Sequence, residues 1–246
     1  MPRSTSAAMA KIALLASRSV IRVAGPDAKT FLDGLLTQTP PALGAAAFAA
    51  LLTPQGKILF DFLIAATGDA FLLDVFSGSA DALAKRLSLY RLRAKVTIER
   101  LEEWAVAASL EGEDFGAEGV HSFQDPRLAA LGRRLIGPVA AIEKLANLDE
   151  AYYDARRLGL GVPEFGRDFG SDEVFLLDVN YDVLNAVSYK KGCFVGQEVT
   201  SRMKRKGEIR KRTLQISFDG APPEKGAEII KGDSVVGEAT SAIDGA

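Results

Sequence analysis

The chain has 246 residues, 48 % of them hydrophobic, and its 30 Lys and Arg against 32 Asp and Glu give a formal net charge of −2. That length suffices for one large or two ordinary domains, and the charge argues against a general nucleic-acid binder. A single cysteine (Cys193) and a single histidine (His121) exclude an internal disulfide and any self-contained Cys or His metal site.

Met1 to Ile12 is basic, small and free of acids, and reads as a flexible extension with Met9 as an alternative start. Ile12–Leu15 and Ser19–Val23 predict short strands about a polar Ala16-Ser17-Arg18 turn. Gly25-Pro26-Asp27 opens a helix whose apolar positions Ala28, Phe31, Leu32, Leu35 and Leu36 share a face. Phe48–Thr53, a Pro54-Gln55-Gly56 turn, Lys57–Ala66, a Thr67-Gly68-Asp69 turn and Ala70–Phe76 predict an antiparallel meander. Ser79 caps a helix to about Arg93 with Leu83, Leu87 and Tyr90 inward, and Ala94–Leu101 is a further strand. A second block starts near Trp104, with strands Ala105–Leu110 and Arg133–Ile136 and a helix over Leu148–Leu158. His121 has no companion motif and reads as a surface or structural histidine.

Antiparallel hairpins punctuated by single helices mean α+β, and the lack of a GxGxxG or P-loop sequence removes a dinucleotide fold. The expected organisation is a flexible 1–11, a first α+β domain over 12–103, a second over 104–208, and a small β-barrel begun in 209–246. Within that last part Arg210–Phe218 alternates as a half-buried strand, and Glu228–Ile230 and Ser234–Ala239 follow. No apolar run approaches the roughly 18–20 residues needed to cross a bilayer. A bacterial cytoplasm, or the mitochondrial matrix in a eukaryote, is the expected compartment, with no membrane partner.

The most informative stretch runs from Lys190 to Arg202. It sets Cys193 between Gly192 and Gly196, beside Lys190 and Lys191, and just ahead of a helix predicted from Val195 to Lys206 and ended by Gly207. The two glycines allow a close backbone approach or a positive φ. A basic, glycine-flanked thiol at a helix entrance reads as a reactive or metal-ligating cysteine, with a buried inert cysteine as the alternative. Soft thiolates suit iron–sulfur centres, but one cysteine cannot hold a cluster alone, so a partner or small thiols would supply the rest. Beyond it, Arg202, Lys204, Arg205, Lys206, Arg210, Lys211 and Arg212 against Glu208 form a basic run. It is either a solvated face or a landing site for an acidic protein, polyglutamylated folate or RNA. The missing aromatic interleaving makes direct nucleic-acid binding the least favoured of these.

The run Lys191-Gly192-Cys193-Phe194, then Gly196-Gln197-Glu198 and Arg202, resembles the signature of the YgfZ family, as do Asn180, Asn185–Tyr189 and Gly161–Glu164. That family comprises folate-binding relatives of the glycine-cleavage T-protein and includes mitochondrial iron–sulfur assembly factors. The resemblance runs from about Ile12 to the C-terminus. It implies a T-protein-like fold, with two antiparallel-sheet-plus-helix units around a central cavity and a small C-terminal barrel inside which this chain is expected to stop. It further implies tetrahydrofolate or a derivative as ligand. Asp61, Asn180, Tyr189, Gln197 and Glu198 would serve the pterin, Arg157, Lys191 and Arg202 the glutamate tail, and Cys193 the rim. The implied role is accessory: assembly or repair of iron–sulfur clusters, with assembly or client proteins as partners and indirect support of tRNA-thiomethylating enzymes. A folate-dependent aminomethyltransferase-like activity, with Cys193 and Asp61 catalytic, is the alternative. Phe60-Asp61 offers one carboxylate where those enzymes have a pair, which counts against it.

Overall fold

The computed structural model describes residues 10–68, 70–115, 117–207, 209 and 211–243. The readings on Met1–Met9, Asp69, Glu208 and Arg210 lie outside these. In chain order the elements are β1 (Ile12–Leu14), β2 (Arg18–Ala24), α1 (Ala28–Asp33), β3 (Ala46–Leu52), β4 (Ile58–Thr67), β5 (Ala70–Phe76) and α2 (Ala80–Tyr90). There follow β6 (Thr97–Arg100), β7 (Trp104–Ser109), β8 (His121–Gln124), β9 (Arg133–Pro138), α3 (Val139–Leu145) and α4 (Glu150–Gly159). The last are α5 (Gln197–Lys206), β10 (Glu228–Lys231) and β11 (Ser234–Glu238).

Two antiparallel sheets result, a five-stranded one ordered β3-β4-β5-β2-β6 and a four-stranded one ordered β1-β7-β9-β8. This is the α+β architecture expected. β1 and β2 do not form a hairpin: β1 pairs with β7 (Ile12 opposite Ser109), while β2 pairs with β5 and β6. The amino-terminal strand therefore closes the edge of the sheet built by the second half of the chain.

Strand alternation sorts the side chains of β4 to opposite faces. Phe60, Phe62, Ile64 and Ala66 pack outward with Leu32 of α1, with Leu36 just after it and with Leu83 and Leu87 of α2. Asp61, Leu63 and Ala65 point the other way, toward the four-stranded sheet. That sheet in turn packs Ile12, Ala107 and Leu135 on Ile142 of α3. The layers are thus helix, sheet, sheet, helix, and the largest apolar cluster lies between the sheets, joined by Tyr153 of α4 and by Phe165, Leu177, Tyr181 and Phe194.

The carboxy-terminal part departs from the expectation. Residues 211–218 form no strand, and Leu214 and Ile216 are exposed, because no neighbouring strand lies alongside to use their alternation. β10 and β11 pair only with each other. Among the described residues the anticipated barrel is one hairpin, and no closed barrel is present.

Candidate functional site

Cys193 is exposed, on a loop between two buried anchors. On one side Lys191 turns inward, and its Nζ donates to the backbone oxygens of Asp33 (2.7 Å), Leu36 (2.7 Å) and Gln38 (3.3 Å) at the end of α1 and beyond. Burial draws this ammonium below its usual range, while Asp33 beside it works in the opposite direction. On the other side Phe194 enters the core between the sheets. Upstream, Thr37 accepts from Ser188 N–H (2.9 Å) and its hydroxyl donates to Ala186 O (2.6 Å). The loop is fastened at each end, and Gly192-Cys193 is what remains in solvent.

The helix that follows starts at Gln197, two residues later than expected, so the thiol stands on the loop and not at the helix entrance. Gly196 is its N-cap residue at φ +79. A Cβ there would lie 2.7 Å from Thr53 O and 3.1 Å from Gly56 Cα, so this glycine lets α5 press against the Pro54–Gly56 turn of the β3–β4 hairpin. Gly192 has open space around it and does not have a positive φ. Of the two glycines, only Gly196 is required by its conformation and by close approach.

The remaining expected site residues do not converge on one pocket. Asn180, at φ +61, donates from Nδ2 to Thr213 O (2.7 Å) and accepts from Arg212 (3.1 Å). Tyr189 has the Lys204 ammonium 3.7 Å from its ring centroid. Its hydroxyl oxygen is buried without a hydrogen-bond partner, and burial, with Asp182 adding, pushes it up to about 12. Gln197 is half-buried and Glu198 and Arg202 are exposed on α5. In the basic run, Arg212 is engaged by Asp182 through two bonds (2.6 and 2.9 Å), whereas Arg202, Arg205 and Lys211 are exposed.

Arg157, expected to meet a glutamate tail, is instead 1 % exposed. It donates to Asp154 (2.8 Å), Asp168 (2.7 Å) and Val162 O (3.2 Å). It belongs to a buried charge network between the sheets that the sequence alone did not reveal. Arg18 donates to Asp74 (2.6 Å) and Glu164 (3.2 Å), joining the five-stranded sheet to the loop after α4. Asp125 accepts from Arg127 (3.0 and 2.7 Å) and Arg134 (3.2 Å), and both guanidiniums also donate to Tyr153 Oη (2.7 and 3.0 Å). Burial pushes the carboxyls of Asp125 and Glu164 up, but the surrounding arginines outweigh it and hold both below the usual range.

Asp61 sits in this interior, 4 % exposed, accepting a hydrogen bond from Tyr181 Oη. Burial pushes its carboxyl up to about 6, against the pull of Arg18 and the Tyr181 bond. The sign of the pH effect follows. The folded protein keeps this proton to about pH 6, whereas the unfolded chain releases it near 3.8, so ionisation weakens the fold as pH rises through that window. Relative to Asp61→Asn, the wild type should lose on the order of 3 kcal/mol between about pH 4 and about pH 7. Urea unfolding of both proteins across that range measures it, and parallel pH profiles would refute it.

Arg127, Arg134, Arg157, Tyr153 and Tyr181 stand buried in the interior between the sheets, where the folate cavity was expected. Of the residues named for folate, only Asp61 and Arg157 face it, and both are already bonded, so the expected set does not fit a folate. Among the described residues no group of three or more His, Cys, Asp and Glu side chains is arranged to hold a metal ion, and no helix is long and apolar enough to cross a membrane.

No protein-family model matches the chain. The fold is similar to that of the glycine cleavage system aminomethyltransferase T from Bartonella henselae, with a TM-score of 0.63 over 81 % of this chain and 64 % of that one at 21 % identity. The human protein named iron–sulfur cluster assembly factor IBA57, mitochondrial, is 38 % identical over 244 residues, covering 86 % of this chain and 67 % of the relative. Its mouse counterpart is 34 % identical with the same coverage. A homologue from Neurospora crassa is 33 % identical, and there the match spans 54 % of the relative's length. The chain belongs to the IBA57 family of iron–sulfur cluster assembly factors.

Proposed function

We propose that this protein acts in iron–sulfur cluster assembly, as the names of its relatives say of them, and that Cys193 is its working residue. In this reading Cys193 offers one thiolate to a cluster in transit, and a partner protein or small thiols supply the other ligands. The cluster is cargo, so the protein itself need not be a catalyst. The observation that carries the reading is the presentation of the cysteine: exposed, single, and held between the buried Lys191 and Phe194. A thiol meant only for packing would be buried. The wider YgfZ grouping, and indirect support of tRNA-thiomethylating enzymes, belong to the same proposal. So does the place of action, the bacterial cytoplasm or the mitochondrial matrix.

Cys193→Ala tests it. Anaerobic mixing of the protein with iron, sulfide and a thiolate-bearing carrier protein should give a visible-absorbing complex that co-elutes with wild type and not with the variant. A strain carrying the variant should lose activity of its cluster-dependent enzymes. Because Cys193 is exposed, its replacement should shift stability by less than about 0.5 kcal/mol. Unimpaired complex formation and enzyme activity would remove the cysteine from the function.

A second reading, a folate between the sheets, is favoured by one observation. Asp74 Oδ2, Arg134 Nη1, Glu164 Oε2 and Asp168 Oδ1 are buried there without hydrogen-bond partners, the first and third with an arginine Nε 3.5 Å away. These atoms, not the set expected from the sequence, would have to meet it. A rise in melting temperature with tetrahydrofolate supports this reading, and an unchanged one rejects it. The one-carbon transferase alternative needs Asp61 at an open surface, and the residue is sealed beneath Tyr181.

A further inference from the structure

The end of α2 and the turn after it form a second distinctive surface, remote in sequence from the cysteine. Residues 85–95 hold Lys85, Arg86, Arg91, Arg93 and Lys95 and no acid, so the rest of the chain, with 25 cations against 32 acids, carries a formal −7. All five cations are exposed and, among the described residues, none pairs with a carboxylate. Between them stand two large apolar side chains in solvent, Leu89 at 65 % and Leu92 at 90 % exposure. Leu92 is also at φ +44, a left-handed conformation that a side chain bearing Cβ enters only at a cost.

The turn is nonetheless well fastened. Asp27 Oδ2 accepts from Lys95 N–H at 2.7 Å, and Ala94 N–H donates to Arg91 O at 2.7 Å. Gly25, at φ +121, lets the backbone of Lys95 pass so closely that a Cβ would lie 2.3 Å from its oxygen. The fold thus fixes a strained, protruding leucine that makes no core contact in return.

We propose that this leucine-tipped cationic turn is a peripheral contact for an anionic lipid surface. Leu89 and Leu92 enter the boundary between headgroups and acyl chains, and the cations lie over acidic headgroups. A fluid surface accepts isolated protruding side chains without a matching pocket, which a folded acidic partner would need. The net-negative remainder of the molecule favours this face over most of the others. The earlier expectation of no membrane partner rested on the lack of a spanning run, which says nothing about surface attachment.

Flotation of the full chain with phosphatidylcholine vesicles, with and without phosphatidylglycerol, tests the proposal. Binding should require phosphatidylglycerol and weaken with salt. Replacing both Arg91 and Arg93 by Gln should lower affinity roughly twenty-five-fold, each cation near such a surface being worth roughly fivefold. Leu92→Gly should reduce vesicle binding while holding or raising the melting temperature, since glycine is at ease at positive φ. A purely structural role for Leu92 would instead lower the melting temperature and leave binding alone. No binding to phosphatidylglycerol vesicles, equal binding to phosphatidylcholine, or binding untouched by both variants overturns the proposal. So does binding of soluble polyglutamate in place of vesicles.

Discussion

Asp125→Ala is expected to destabilise the protein by about 3–5 kcal/mol, a large fraction of the stability of an ordinary domain. Asp125 is the carboxylate shared by Arg127 and Arg134, and all three side chains are buried. Removing it leaves two guanidiniums in the core with Tyr153 Oη as their remaining shared acceptor. An exposed counterpart gives the contrast. Arg133 pairs with Asp114 at 3.1 Å, where the acid is largely in solvent, and Asp114→Ala should cost less than about 1 kcal/mol. Urea denaturation of the three proteins at neutral pH measures both, and similar losses for the two variants would mean that the interior network is hydrated. Acid should reproduce the first effect. Asp125 and Glu164 are held below the usual carboxylate range, so their stabilisation is present above the unfolded value and is lost as pH falls through the lowered one. Asp61 acts with the opposite sign, and wild type therefore combines two opposed trends in acid.

Gly196→Ala is expected to cost about 2–4 kcal/mol and to impair cluster handling, whereas Gly192→Ala, one residue from the thiol, should do neither. At Gly196 a methyl group meets Thr53 O at 2.7 Å and Leu52 Cβ at 3.0 Å, with φ at +79. Relief requires α5 and the loop before it to lift off the β3–β4 turn, which moves Cys193 relative to Lys191 and Phe194. At Gly192 nothing lies within 4 Å. Thermal unfolding together with the carrier-complex assay separates the two positions. Equal behaviour would show that flexibility next to the cysteine, and not its mounting, is what matters.

Much of this fold is written in local pattern. The meander β3-β4-β5 follows from apolar runs and turn residues, and α1 and α2 from apolar positions at helical spacing. β8 and α3 are not legible in the same way, because His121–Gln124 is short and polar and Val139–Leu145 is seven residues with no capping side chain. Residues 211–218 show the reverse, since alternation becomes a strand only when a neighbour is present to pair with it. The cysteine motif was plain, but the inward turn of Lys191 was not, for its three acceptors are backbone oxygens lying more than 150 positions earlier. The charge network is hidden for a related reason. Arg18 reads as part of a polar turn, and Arg134 as the solvent-facing half of a strand, until the two sheets close over them.

The pairing of β1 with β7 has a bearing on how the protein is made. Ile12–Leu14 leaves the ribosome about a hundred residues before its partner strand exists. At roughly 5–20 residues per second, this segment spends on the order of 5–20 s as a nascent apolar stretch with nothing to pair with. Synthesis of this chain therefore has a built-in interval in which a holding chaperone is useful, and a fragment ending before Trp104 would be left with that stretch exposed.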